Sequence, residues 1–183
     1  MAEDAIEAEA QASPDQFKVR LWAVIGPPGS GKSSTIGTLA GFDGRGAGGR
    51  RDILLRGGGW LRVHAFRQSV QEAQLTPQQS LDRTMKNARR QQGWGITAWY
   101  NVLLAFRSDS VHGLPEADEY LRHYIRAGWV IESLALLDIP NDYEKYARFG
   151  VPTAAVRDTT ENTKETASRP WVFGEVRSHF GWA

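Results

Sequence analysis

The chain has 183 residues, 41% of them hydrophobic and 23% charged, the balance of one ordinary globular domain with enough apolar side chains for a full core. It contains no cysteine, which excludes disulfides and thiolate-held metals, and its four histidines (His64, His112, His123, His179) lack metal-ligand spacing. The net charge of +1 hides an asymmetry: residues 1–15 carry five acids and no Lys or Arg, leaving 22 basic against 16 acidic groups in the rest. No apolar run reaches the roughly 18 residues of a membrane span, and the N-terminus has no basic n-region or apolar h-region. The expectation is a cytoplasmic chain with an acidic flexible tail at 1–16 and one folded domain at 17–183.

Taken in order, "FKVRLWAVIG" (17–26) alternates and then turns almost wholly apolar, as a buried central strand does. A helix is expected from near Gly31 through "KSSTIGTLAG", followed by a mobile loop with five glycines between 41 and 49. "DILLR" and "WLRVHAF" read as two strands joined at Gly57–Gly59. Thr76 and Gln79 form a capping box around Pro77, and Gly93 is the expected stop of that helix; its apolar stripe is Leu81, Met85 and Ala88. "ITAWYNVLLAF" (96–106) is a further strand. A helix starts at Pro115, with Ala117, Tyr120, Leu121, Tyr124 and Ile125 on its apolar face, and ends at Gly128. "WVIESLALLD" is a strand, Asn141 and Glu144 cap a short helix ending at Gly150, "PTAAVRD" is the last strand, and "RPWVFGEVRSHF" a closing helix. Strands alternating with helices imply a three-layer α/β domain with a mainly parallel sheet of about five strands.

Residues 26–33 read Gly26-Pro27-Pro28-Gly29-Ser30-Gly31-Lys32-Ser33, between a predicted strand and a predicted helix. Glycines at 26, 29 and 31 let the backbone curl with its N–H groups inward, a nest for phosphate oxygens, and the helix adds its own N-terminal amides and dipole. Lys32 adds a mobile cation, Ser33 a hydroxyl suited to Mg²⁺, and Ser34 and Thr35 lie on the first helical turn, within reach of the α- and β-phosphates. The stretch resembles the P-loop NTPase superfamily over about residues 18–40. That resemblance implies a nucleoside triphosphate with magnesium and the corresponding fold.

It also implies a carboxylate at the end of another strand to complete the magnesium shell. Asp138, ending "ESLALLD", is the closer local match, and Asp109, beyond "NVLLAFRSD", is the alternative. Glu72 is a further acid for activating water, and Arg107 an arginine for the transferring phosphoryl group. Guanine-reading members of the superfamily carry Asn-Lys-x-Asp where this chain has "LLDIPND", and "WLRVHAF" is not followed by Asp-x-x-Gly, so ATP is the expected nucleotide.

Arg45, Arg50, Arg51, Arg56, Arg62 and Arg67 crowd 44–67 with Asp52 as the only acid, and Arg83, Lys86, Arg89 and Arg90 crowd one helix. These are either solvated surface or phosphate contacts to DNA or RNA. Trp60, Trp94, Trp99 and Trp129 read first as core and second as stacking surfaces. The leading expectation is a homo-oligomeric ATPase driving a mechanical or assembly step, of a translocating or genome-packaging kind. A small kinase and a GTPase-like switch are the alternatives.

Overall fold

The structure is a computed structural model that describes residues 18–42, 48–91, 99–157 and 170–183. The acidic tail, Arg45, Gly93 and Trp94 lie outside the described residues, as do the first three residues of the strand expected at 96.

β1 (Lys18–Gly26) is the strand around which the rest is arranged. Its side chains divide by parity, as those of a strand covered on both faces must. Val19, Leu21, Ala23 and Ile25 enter one core, while Trp22 and Val24 enter another. α1 (Lys32–Leu39) packs in the second core through Ile36 and Leu39. β2 (Gly48–Leu54) and β3 (Trp60–Ser69) form an antiparallel hairpin. α2 (Pro77–Gln91), β4 (Trp99–Arg107), α3 (Ala117–Arg126), β5 (Val130–Leu137), α4 (Tyr143–Ala147), β6 (Thr153–Val156) and α5 (Pro170–His179) follow.

The sheet has six strands in the order β2-β3-β4-β1-β5-β6, all parallel except β2, which runs antiparallel to β3. It exceeds the expected five or so because both arms of the hairpin join the same sheet. α2, α3 and α4 contribute to the core containing Val19 and Leu21, with Leu81, Met85, Tyr120, Tyr124 and Tyr146 among its members. α1 and α5 cover the opposite face. Two of these buried tyrosines find partners for their hydroxyls, while the Tyr146 hydroxyl is buried without one. Tyr120 donates to the Leu75 carbonyl at 2.6 Å, and the Tyr124 hydroxyl pairs with Ser80 Oγ at 2.6 Å.

The capping box forms reciprocally: Gln79 N–H donates to Thr76 Oγ1 at 3.2 Å, and Thr76 N–H to Gln79 Oε1 at 2.9 Å. Elsewhere tertiary packing overrides the sequence expectation. Gly48 and Gly49, assigned above to a mobile loop, belong to β2; a Cβ on Gly48 would sit 2.2 Å from the Ala65 carbonyl oxygen, so the ladder itself needs glycine there. α3 begins at Ala117, two residues after Pro115, because Glu116 stays extended. Ile125 is 42% exposed, since Ala117, Tyr120, Leu121 and Tyr124 already fill the buried stripe. Asn141 caps nothing; Pro140–Asp142 forms a 3₁₀ turn, and no side chain caps α4. Trp129 is buried against Tyr124, but Trp60 is 70% exposed, because among the described residues no element covers its sheet face at the start of β3.

The C-terminal residues close the hairpin's outer edge. Leu55 pairs with Trp182 in an antiparallel bridge, Ala183 N–H donates to the Leu54 carbonyl at 2.8 Å, and Arg56 N–H to the Gly181 carbonyl at 3.0 Å. The fully buried Trp182 packs against Phe180 and Trp22.

Candidate functional site

The glycine-rich loop leaves the C-terminal end of β1, between β4 and β5. Parallel sheets bind ligands at this end, where neighbouring connections diverge to opposite faces. Its glycines are required for two different reasons. Gly29 and Gly31 have φ of 77° and 83°, the left-handed region that an L side chain resists. Gly26 is instead constrained by space: a Cβ there would lie 2.5 Å from Ser30 Oγ and 2.7 Å from the Leu137 carbonyl oxygen. Ser108 N–H donates to the Gly26 carbonyl at 3.1 Å, tying the loop's start to the end of β4.

No side chain caps α1. Thr35 N–H reaches the Gly31 carbonyl at 2.8 Å, and the earlier first-turn amides are the donors that any helix start leaves over. Ser30 Oγ and Thr35 Oγ1 are buried without a hydrogen-bond partner in the protein. Orphaned hydroxyls of this kind carry a desolvation cost that a polar partner would relieve. Pro28 and Ser34 are exposed; Pro27 and Ser33 are partly buried.

Lys32 is only 4% exposed, and its Nζ donates across the loop to the Pro27 carbonyl at 2.6 Å. Burial pushes its pKa down, Glu72 and Asp109 act to raise it, and Arg107 lowers it further. The structure therefore gathers Lys32, Glu72, Arg107 and Asp109 into one electrostatic neighbourhood. Arg107 grips Asp109 through two bonds, Nε to Oδ1 at 3.2 Å and Nη2 to Oδ2 at 2.7 Å, and this hydrogen bonding holds the Asp109 carboxyl below the usual carboxylate range. Glu72 sits in the turn after β3, where its Oε2 accepts from Ser69 N–H at 3.4 Å and its own N–H donates to Ser69 Oγ at 3.2 Å. Asp138 lies one residue past β5 with φ of 58°, and its N–H donates to the Val156 carbonyl at 3.0 Å.

Two contributors escaped the sequence reading. Gln71 is fully buried and clasps the backbone of Arg107 with both ends of its amide: Arg107 N–H donates to Oε1 at 3.0 Å, and Nε2 donates to the Arg107 carbonyl at 3.0 Å. A lone glutamine in a turn gives no local signal of such a role. Arg67, known only as one of many arginines, lies against α1, with Nε 3.5 Å from the Ser33 carbonyl oxygen and its guanidinium over Gly37. A glycine inside a helix marks a close approach, and Gly37 was the available clue.

The other arginines and lysines singled out in the sequence have different surroundings. Arg62 forms a bidentate pair with Asp52 at 2.7 and 3.1 Å, Arg51 stacks over Phe42, and Arg83, Lys86, Arg89 and Arg90 are exposed on α2. Among the described residues no group of three His, Asp or Glu side chains is placed to hold a metal, and no helix is long and apolar enough to cross a membrane. In comparisons with known proteins, no family model, curated protein or solved structure matches the chain.

Proposed function

We propose that the chain is an ATP hydrolase of the P-loop NTPase kind, with its triphosphate held by residues 26–35 and the energy spent on a mechanical or assembly step. The observation that carries this reading is the loop itself. Two left-handed glycines, an uncapped helix start, two orphaned hydroxyls and a buried lysine converge at the C-terminal end of the central strand. The glycines allow the curl at no steric cost, while the leftover amides, the orphaned hydroxyls and the buried cation are costly without a ligand, and one polyanion would satisfy them together.

The loop amides and the α1 terminus bind phosphate oxygens. Lys32 exchanges the Pro27 carbonyl for those oxygens, which restore the charge that burial disfavours. The donor set would fit magnesium: Ser33 would provide one hydroxyl, and Asp138 or Asp109 one carboxylate from beyond a flanking strand, for a cation that keeps water and phosphate oxygens as its other ligands. When bound, magnesium offsets charge on the β- and γ-phosphates. Arg107, steadied by Asp109 and by Gln71, is placed to stabilise charge on the transferring group, and Glu72 to orient water.

A phosphotransferase is the second reading, favoured by an open depression of about 490 Å³ directly after Asp109, lined by Ser110–Pro115 and Glu119. Release of ADP from ATP and Mg²⁺ in buffer alone decides for the hydrolase; release only with an added acceptor decides for the kinase. Lys32→Ala is expected to lower turnover of order 100-fold. Calorimetry showing no ATP binding to the wild-type protein would refute both readings.

A further inference from the structure

The exposed face of the hairpin carries a feature that the nucleotide reading leaves unexplained. Val63 and Ala65 of β3 point into the core shared with α1 and α5, so Trp60, Arg62, His64 and Phe66 share the other face. In the ladder Trp60 opposes Leu54, Arg62 opposes Asp52, and His64 opposes Arg50. α2 covers only the far part of this face: Phe66 packs into the core beneath it, and Arg83 of α2 comes close enough to His64 to act on its charge, as does Arg50. Among the described residues the cover ends toward the start of β3, where Trp60 is 70% and Leu54 41% exposed.

An indole in water beside guanidinium groups is not accounted for by folding. Trp60 is no part of either core, and removing its ring from water against a ligand is favourable. The surrounding charge selects the ligand. Of the hairpin's arginines, Arg50 and Arg62 share this face, Arg56 lies in the turn beside it, and Arg51 and Arg67 lie on the other face; the one acid, Asp52, is engaged by Arg62. Arginine offers forked donors to phosphate, and a base stacks on an aromatic ring without regard to sequence. A duplex keeps its bases stacked on one another, so a ring standing on a flat sheet face fits unpaired bases.

We propose that this face is a binding surface for single-stranded nucleic acid. Trp60 is the stacking platform, with Arg62, Arg50 and Arg56 of the hairpin and Arg83 of α2 contacting the phosphates. This names the partner on which the ATP energy is spent, and so rests on the preceding proposal.

The test is the anisotropy of fluorescein-labelled oligothymidylate, without nucleotide, at low and at raised salt. The wild-type protein is expected to bind at low salt, to weaken as salt rises, and to be displaced by unlabelled single strand but not by duplex of equal length. Trp60→Ala should weaken binding roughly tenfold or more, while Trp60→Phe keeps most of it; Arg62→Gln should flatten the salt dependence by about one unit of slope. Trp60 is exposed, so these variants should retain the wild-type melting curve. Lys32→Ala should lose ATP and keep the oligonucleotide. No binding at low salt, unchanged affinity in Trp60→Ala, preference for duplex, or self-association through Trp60 without oligonucleotide binding would each overturn the proposal. If these fail while ATP still binds, the nucleotide reading stands alone; if ATP fails while the oligonucleotide binds, the surface stands alone.

Discussion

Gly26→Ala tests whether the loop is built as described. The new methyl must occupy a position 2.5 Å from Ser30 Oγ, 2.7 Å from the Leu137 carbonyl oxygen and 3.2 Å from Ser30 Cβ. Ordinary contacts begin near 3.4 Å, so the loop and the end of β5 must separate by roughly 0.5–1 Å, a distortion that costs about 1–3 kcal/mol in a packed interior. Gly174→Ala is the control: Gly174 lies in α5 with open space around its Cα, and there the same change should stabilise by about 0.5–1 kcal/mol. Urea unfolding gives both values, and calorimetry should show Gly26→Ala weakening ATP binding while Gly174→Ala leaves it unchanged. Adding Ser30→Ala removes the shortest contact but leaves the backbone carbonyl, so it should recover only part of the penalty. A neutral or stabilising Gly26→Ala, or a penalty indifferent to Ser30, would refute the packing argument.

Two further outcomes follow from local chemistry. His64 accepts from or donates to Tyr100 Oη at 2.6 Å, and its pKa is pushed down to about 4 from 6.5, first by burial and then by Arg50 and Arg83. Between those values the unfolded chain binds more protons, so His64's contribution is complete above pH 6.5 and is lost as the pH falls to about 4, on the order of 2 kcal/mol after solvent screening. Urea titrations across that window should show a shallower pH slope for His64→Gln than for the wild type. Thr76→Ala, which removes one half of the capping box, should cost about 1 kcal/mol in the same assay and leave nucleotide binding untouched.

What the sequence disclosed depended on the range of the interaction. The parity of β1, the Thr76–Gln79 box and the loop from Gly26 to Ser33 are written in adjacent residues, and each has a local physical reading. The choice between Asp109 and Asp138 is not local. Both follow apolar strands, and what Asp109 adds, its grip on an Arg107 that Gln71 clasps and its action on Lys32, comes from residues distant in sequence. Trp60 was misjudged for the same reason: a tryptophan opening a strand reads as core until the sheet order puts that strand in a hairpin at the margin with one face bare. Arg67 and Gly37 stood in between, since the helix glycine was visible but its partner on β3 was not.

The bridge between Leu55 and Trp182 bears on how the molecule is made as well as on how it holds together. Contacts between residues so distant in sequence form late, because the loop they close is long. The hairpin, by contrast, is local and can fold early. For the interval between those events the Leu54 carbonyl and the Arg56 N–H lack the partners that the C-terminus supplies, next to an exposed indole, which is the geometry that invites pairing with a second chain. The docking of Gly181, Trp182 and Ala183 ends that exposure. Substitutions at Trp182 should therefore appear in the yield of soluble protein as well as in its equilibrium stability.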